Sequence, residues 1–273
     1  MLRNIRDWKG VAFILTIATI QMSLFLFVEN IFVVVIAVAA LVPFQVSASA
    51  LNHNHHHCLT FRSTLLNRAY ECVMFLQTGT SPFAWTLHHN IGHHERFLDQ
   101  SKDTSPWKTS KGKVMSRGWY CLRNTIMMYP GAFRVGWSHK PIFFRFLSFL
   151  GVSSVLLAAL ILGSPLKALL IFVIPMTMML FILVDATYGH HAGLDTDDPY
   201  KATYNILDPV YNFCAWNLGY HTAHHLRPGL HWTSLPDFHS KISEKIPGAL
   251  IREQWDMKLS TLKMLGRKDS TKS

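Results

Sequence analysis

Four stretches of this sequence are almost wholly apolar and close to the roughly 20 residues that a helix needs to cross a bilayer. They lie at 11–28 (VAFILTIATIQMSLFLFV), 31–50 (IFVVVIAVAALVPFQVSASA), 142–162 (beginning IFFRFLSFLG) and 165–184 (ending IPMTMMLFILV). Inside lipid every backbone N–H and C=O must find its partner within the protein, which commits such stretches to helix. The composition agrees, with 49% hydrophobic and only 15% charged residues. Only Glu29 and Asn30 separate the first pair, and only Gly163 and Ser164 the second, so the chain reads as two helical hairpins. Pro43 and Pro175 are expected to kink their helices without ending them, because neighbouring helices can take up the freed carbonyls. The first stretch is too long for a cleaved signal peptide, lacks a small-residue cleavage site and is followed at once by a second span.

Lysine and arginine set the orientation. Arg3, Arg6 and Lys9 precede the first span, a dense basic set from Arg62 to Lys140 fills the central segment, and ten more follow the fourth span. Neither hairpin tip carries one, while Arg145 and Lys167 lie just inside their helices, where long side chains are expected to snorkel to the interface. The positive-inside rule then puts both termini and the central segment in the cytosol. The expected architecture is a single all-α integral-membrane domain over 1–273, with an insert at 51–141 and a tail at 185–273 forming a helical cytosolic cap. The polar end GRKDSTKS is expected to fray. Within the insert, AYECVMFLQTGTSPFAW and NTIMMYPGAFRVGW are too short to span but rich in aromatics and methionine, and read as elements lying in the interface or packed on the cap.

Sixteen histidines are the second strong feature. They gather in LNHNHHH at 51–57, TLHHNIGHHERF at 86–97, ATYGHHAGLD at 186–195 and NLGYHTAHHLRPGLHW at 217–232. By the topology above all four clusters lie on one face of the membrane, two of them where the second and fourth spans leave it. His53 and His57 stand four apart on one helical face; His89, His93 and His94 give H-x-x-x-H-H; His221, His224 and His225 give H-x-x-H-H. Neutral imidazole suits first-row transition metals, and eight or nine exceed what one zinc takes, so the count favours two metal ions. His139, His231 and His239 stand outside the pattern and read as structural. His55, His56, His88 and His190 are the less favoured members of their clusters.

Other classes fit less well. The four cysteines are scattered without C-x-x-C, which argues against a thiolate zinc site or a disulfide framework. The net charge of +10 is spread along the chain with no nucleic-acid-binding spacing, and the membrane accounts for it better. HHERF contains no H-E-x-x-H, which disfavours a zinc protease. A histidine-rich metal transporter would carry polar ligands at mid-membrane, where the spans offer little beyond Gln21, Glu29 at one edge, and hydroxyls.

With HNHHH as H-x-x-x-H, HNIGHH as H-x-x-x-H-H and HTAHH as H-x-x-H-H, the sequence resembles the membrane fatty acid desaturase and hydroxylase superfamily with its three histidine boxes. The order of the boxes and the two hairpins match as well, so the resemblance covers most of the chain, and it is most similar to small bacterial members. It implies two non-haem irons held by His53, His57, His89, His93, His94, His221, His224 and His225. A further histidine after the fourth helix, His191 or His190, completes the set. In box one His56 is the alternative to His57, and Asn217 is a candidate to hold a water beside a metal.

The resemblance further implies an O2-dependent oxidoreductase, foremost a fatty acyl desaturase, with hydroxylase, ketolase or acetylenase as relatives sharing the same boxes. Taking hydrogen from an unactivated methylene needs an oxidant that side chains do not provide. The chain has no H-P-G-G, rubredoxin-like C-x-x-C or G-x-G-x-x-G, so electrons are expected from a separate ferredoxin, rubredoxin or cytochrome with a reductase. The acyl chain is expected from membrane lipid, CoA or an acyl carrier protein, and the cellular place is a bacterial cytoplasmic membrane. Glu95, Asp185, Asp195, Asp197 and Asp198 are the candidate carboxylates for orienting ligand imidazoles.

Overall fold

The computed structural model describes residues 1–254; the GRKDSTKS end lies outside the described residues. Among the described residues, four helices are long and apolar enough to cross a membrane: Ile5–Phe27, Ile31–His57, Lys140–Gly163 and Pro165–His191. The first comprises a short 3-10 turn and α1 (Trp8–Phe27); the second is α2 (Ile31–His57). Asn30 starts α2 by accepting from the backbone N–H groups of Phe32 and Val33. The third span is α5 (Lys140–Gly163). The fourth begins as α6 (Pro165–Ala168), passes through a π-helical stretch (Leu169–Val173) and continues as α7 (Ile174–His191).

Both hairpins are present, and one detail at their tips differs from expectation. Lys167 does not reach out toward water: it is buried, and its ammonium pairs with Glu29 at 2.7 Å and the Phe25 carbonyl at 3.3 Å. The tips of the two hairpins are thereby joined, which meets the cost of a charge at that depth better than a solitary extended lysine would. Pro175 has no N–H for the Ile171 carbonyl four residues earlier, and Gln21 of α1 supplies the missing donor at 3.0 Å. The spans also bury a second amide, Gln45, which donates to the Gln77 carbonyl at 3.4 Å.

The second and fourth spans extend past the apolar stretches, to His57 and His191. Their polar ends are sheltered because the rest of the chain packs around them. α3 (Thr64–Thr78) starts on a Ser63 cap and stops at Gly79, whose φ of 73° is the left-handed conformation that suits glycine. A π-helix follows at Thr86–His94, then α4 (Arg117–Trp137), both packed against each other. Arg117 forms a two-pronged ion pair with Asp185, fixing the start of α4 to α7. α3 and α4 are the two methionine-rich segments of the insert, and both pack on α7. After α7 come α8 (Pro209–Cys214), α9 (His221–Leu226) and α10 (Leu235–Ile242), with a two-residue parallel pairing of Asn205–Ile206 and Ile251–Arg252.

Candidate metal centre

Four elements bring histidines to one place at the cap end of the bundle: α2, the π-helix, α7 and α9. One group consists of His53 and His57 from α2, His89 and His94 from the π-helix, and His224 from α9; a ligand atom of each lies within 4.8 Å of those of the others. A second group consists of His93, His191 and His225 on the same criterion. His221 adjoins this second group, its Nε2 standing 3.0 Å from that of His191.

Local helix geometry explains the partition. On an α-helix, residues five apart point about 140° away from each other. The π-helix over Thr86–His94 changes that, and the Nε2 atoms of His89 and His94, five apart, approach to 3.0 Å. His93 is then turned the other way, toward His191 at 3.3 Å. The α-helical spacing expected for box two is thus replaced by a π turn, a deformation common at functional sites. In α9 the adjacent His224 and His225 likewise serve different groups.

The nitrogens crowd more closely than hydrogen bonding alone explains. In the first group His53 and His89 meet at 2.8 Å, His89 and His94 at 3.0 Å, and His94 and His224 at 3.0 Å, all through Nε2. A neutral imidazole has one N–H and one lone pair, so the Nε2 of His89 cannot satisfy two Nε2 neighbours together. Nitrogens about 2.1 Å from a common metal and at right angles to one another would stand about 3 Å apart. Burial, followed by the mutual repulsion of neighbouring rings, holds His89, His94, His221, His224 and His225 well below the ordinary histidine pKa. They are therefore neutral and their lone pairs are available, as metal ligation requires. The residues present fit two transition-metal ions.

Asp103 supports the second group. Its two oxygens lie 2.9 and 3.1 Å from His93 Nδ1, both side chains being buried. The loop carrying Asp103 can pass this close because Gly92 has no side chain: a Cβ there would lie 2.4 Å from Thr104. His191 Nδ1 donates to the Ala202 carbonyl at 3.2 Å, and His221 Nδ1 to the Leu218 carbonyl at 3.3 Å. The five carboxylates favoured from sequence do otherwise. Asp185 pairs with Arg117, Asp195 with Lys108, and Asp198 binds the Tyr200 N–H and Lys201. Glu95 and Asp197 are exposed. Asp103 stands ten residues beyond its histidine in a polar loop, and only the folded path of that loop brings it back.

The less favoured histidines take other places. His55 turns away and bonds Thr60 at 2.9 Å and Glu71 at 3.1 Å. His56 is buried outside both groups, its ring against His55. His88 packs against Gly131, and burial lowers its pKa to about 4. His190 bonds the Tyr204 carbonyl at 2.8 Å and the Tyr211 hydroxyl at 3.1 Å, with its ring stacked on His221. Asn217 belongs to neither group; its amide donates to the Trp232 carbonyl at 3.1 Å. His139, His231 and His239 all lie outside the groups, His139 on the Val135 carbonyl and His231 on Asp7.

The surroundings are aromatic. The indole of Trp85 stacks on His89 at 4.4 Å, and the ring of Phe97 lies 4.3 Å from that of His225. His94 and His225 stack at 4.1 Å with their planes 17° apart, so the two groups share a wall. The profile of the fatty acid desaturase family matches residues 29–255, which include all three histidine boxes and both groups. The chain belongs to the fatty acid desaturase family. It is accordingly a membrane protein of the desaturase and hydroxylase superfamily, a superfamily of enzymes, with histidine clusters suited to metal. No curated protein matches the chain.

Proposed function

We propose that the protein is a di-iron, O2-dependent oxidoreductase that introduces a double bond into a fatty acyl chain. The observation that carries this reading is the pair of buried imidazole groups with one common wall, built where the second and fourth spans end in histidines. His53, His57, His89, His94 and His224 would hold one iron, and His93, His191, His221 and His225 the other. Bound iron supplies the redox capacity that side chains lack for removing hydrogen from an unactivated methylene. The protein's own residues hold the imidazoles in place and neutral. Asp103 fixes the tautomer and orientation of His93. Trp85 and Phe97 cover faces of the ligand rings and restrict water.

Desaturation removes two hydrogens from the chain and reduces O2 to two waters, consuming two further electrons and two protons. With no haem-binding, flavin-binding or iron–sulfur motif in the sequence, a ferredoxin, rubredoxin or cytochrome with its reductase delivers those electrons. The substrate reaches the site as an acyl chain of lipid, CoA or a carrier protein, and both termini and the site face the cytosol of a bacterial cell, as the basic residues direct. Two measurements test the reading. Metal analysis of the purified protein should find about two irons per chain, and expression in a host of known lipid composition should yield new double bonds by mass spectrometry. An added oxygen in place of a double bond would assign the hydroxylase branch. Zinc alone, with no O2 consumption on supply of reductant, would overturn the proposal.

A further inference from the structure

Short helix α8 lies in the tail, outside every apolar stretch of the sequence, yet it docks against residues inside two of them. Ser47 of α2 donates to the Cys214 carbonyl at 2.7 Å, and the Trp216 indole N–H donates to the Ser47 hydroxyl at 2.8 Å. On α1, the Trp216 ring meets Phe13 edge-on with centroids 6.4 Å apart. Depth follows from the helix rise. Counting from the hairpin tips, which the Lys167–Glu29 pair marks, Ser47 stands roughly 24 Å along α2 and Phe13 roughly 21 Å along α1, against a hydrocarbon thickness of about 30 Å.

At that level α8 turns an apolar face outward. Phe213 is 84% exposed and Val210 63%, with Pro209 and Cys214 exposed beside them, while the half-exposed Asp208 caps the start of the helix by accepting from the Val210 and Tyr211 N–H groups. The face continues the lipid-facing stripe of α2, whose Phe44 and Val46 are exposed just before Ser47. The polar side of α8 is turned inward: the Asn212 amide donates to the Ile206 carbonyl, and its oxygen accepts from the Gly219 N–H. Gly219 is obligatory in this arrangement, since a Cβ there would stand 2.1 Å from the Ile206 carbonyl oxygen.

We propose that α8 is an in-plane membrane element whose Pro209, Val210, Phe213 and Cys214 sit among acyl chains beside α2. Its occupant is bilayer lipid, because the face is continuous with a span at a depth where lipid surrounds that span. The element also leads directly into the third histidine box. Tyr211 of α8 bonds His190, whose ring stacks on His221 at 4.0 Å, so the bilayer holds the stretch of chain that delivers His221, His224 and His225. This inference goes beyond the proposed reaction and does not depend on it.

The test uses the full chain reconstituted in phosphatidylcholine nanodiscs and labelled on cysteine with bimane, the Cys214 signal being the difference from a Cys214→Ser protein. A second site, Val210→Cys in the Cys214→Ser background, guards against a local disturbance by the label. Phosphatidylcholine bearing nitroxide on its acyl chains should quench most of the emission at both sites, and aqueous iodide should quench little. Strong iodide quenching with little effect of the lipid nitroxide would place α8 in water and overturn the proposal. Protection from both quenchers would also overturn it, by assigning the face to a second copy of the chain or another protein.

Discussion

The two histidine groups stand against each other through a stacked pair of rings, but they are supported in different ways. In the second group the nitrogen of His93, His191 and His221 that points away from its neighbours has a fixed partner: Asp103, the Ala202 carbonyl and the Leu218 carbonyl. In the first group the corresponding Nδ1 atoms of His53 and His94 are buried without a partner, as are both ring nitrogens of His225 in the second. A ring whose far N–H is bonded has one tautomer and one orientation before a metal arrives; a ring without such a bond takes its orientation from packing and from the metal. Three of the second group's four rings are therefore preorganised by hydrogen bonds, while His225 and the first group rely on ring packing, with Phe97 against His225 and Trp85 over His89.

The largest test of this division uses neighbours in sequence. His93→Ala and His94→Ala should both abolish activity, and each should cost about one metal equivalent from a different group. Metal analysis combined with a spectroscopic probe of the ion that remains should show two different residual sites. The same residual site in both variants would break the division. Next in size is Asp103→Ala, expected to weaken metal binding at the second group about 10–100-fold while leaving the first unchanged; Asp103→Asn, which keeps an acceptor but not the charge, should lose less. Equilibrium dialysis showing two equally weakened sites would mean that Asp103 supports the whole centre.

A pH dependence common to both groups comes next. His89, His94, His221, His224 and His225 are held neutral by burial, below the ordinary value of 6.5 that they regain on unfolding. Below that pH the unfolded chain binds more protons than the folded one, so stability falls as pH falls. Metal-free protein should unfold at a lower temperature at pH 5.5 than at pH 7.5. Equal midpoints would mean that these rings titrate normally in the folded protein. The smallest expected effect on metal is that of His190→Gln. It should keep its full metal content while losing about 1–3 kcal/mol of stability from broken buried hydrogen bonds, whereas His191→Gln should lose metal.

The sequence conveys the spans and the boxes because both are local patterns: an apolar run of membrane length, and histidines at helical spacing. It also separates His53 from His55, since four-residue periodicity puts them on different faces. It does not convey what long-range approach creates. Asp103 reaches His93 only because Gly92 leaves room for the loop above it, whereas Asp185, Asp195 and Asp198 are occupied by Arg117, Lys108 and Lys201 and Glu95 is exposed. Nor does the pattern H-x-x-x-H-H distinguish an α turn from a π turn. That choice decides which of two adjacent histidines faces which group. The role of α8 is hidden for a similar reason, as six residues carry no membrane-length signal and only their docking at Ser47 reveals their depth.

The π-helix of box two also sets what this segment can tolerate. A wider turn accommodates one more residue per circuit than its α counterpart, so the three residues between His89 and His93 act as a spacer whose length matters apart from its chemistry. Deleting one of them would bring His93 and His94 a position closer to His89. The pair now divided between the two groups would then be carried round together by about a quarter-turn. Lengthening the spacer would err in the opposite sense. A substitution at Ile91 is a matter of packing and one at Asn90 costs its 2.8 Å hydrogen bond to the His56 carbonyl, while insertions and deletions there change the gearing between the two halves of the centre.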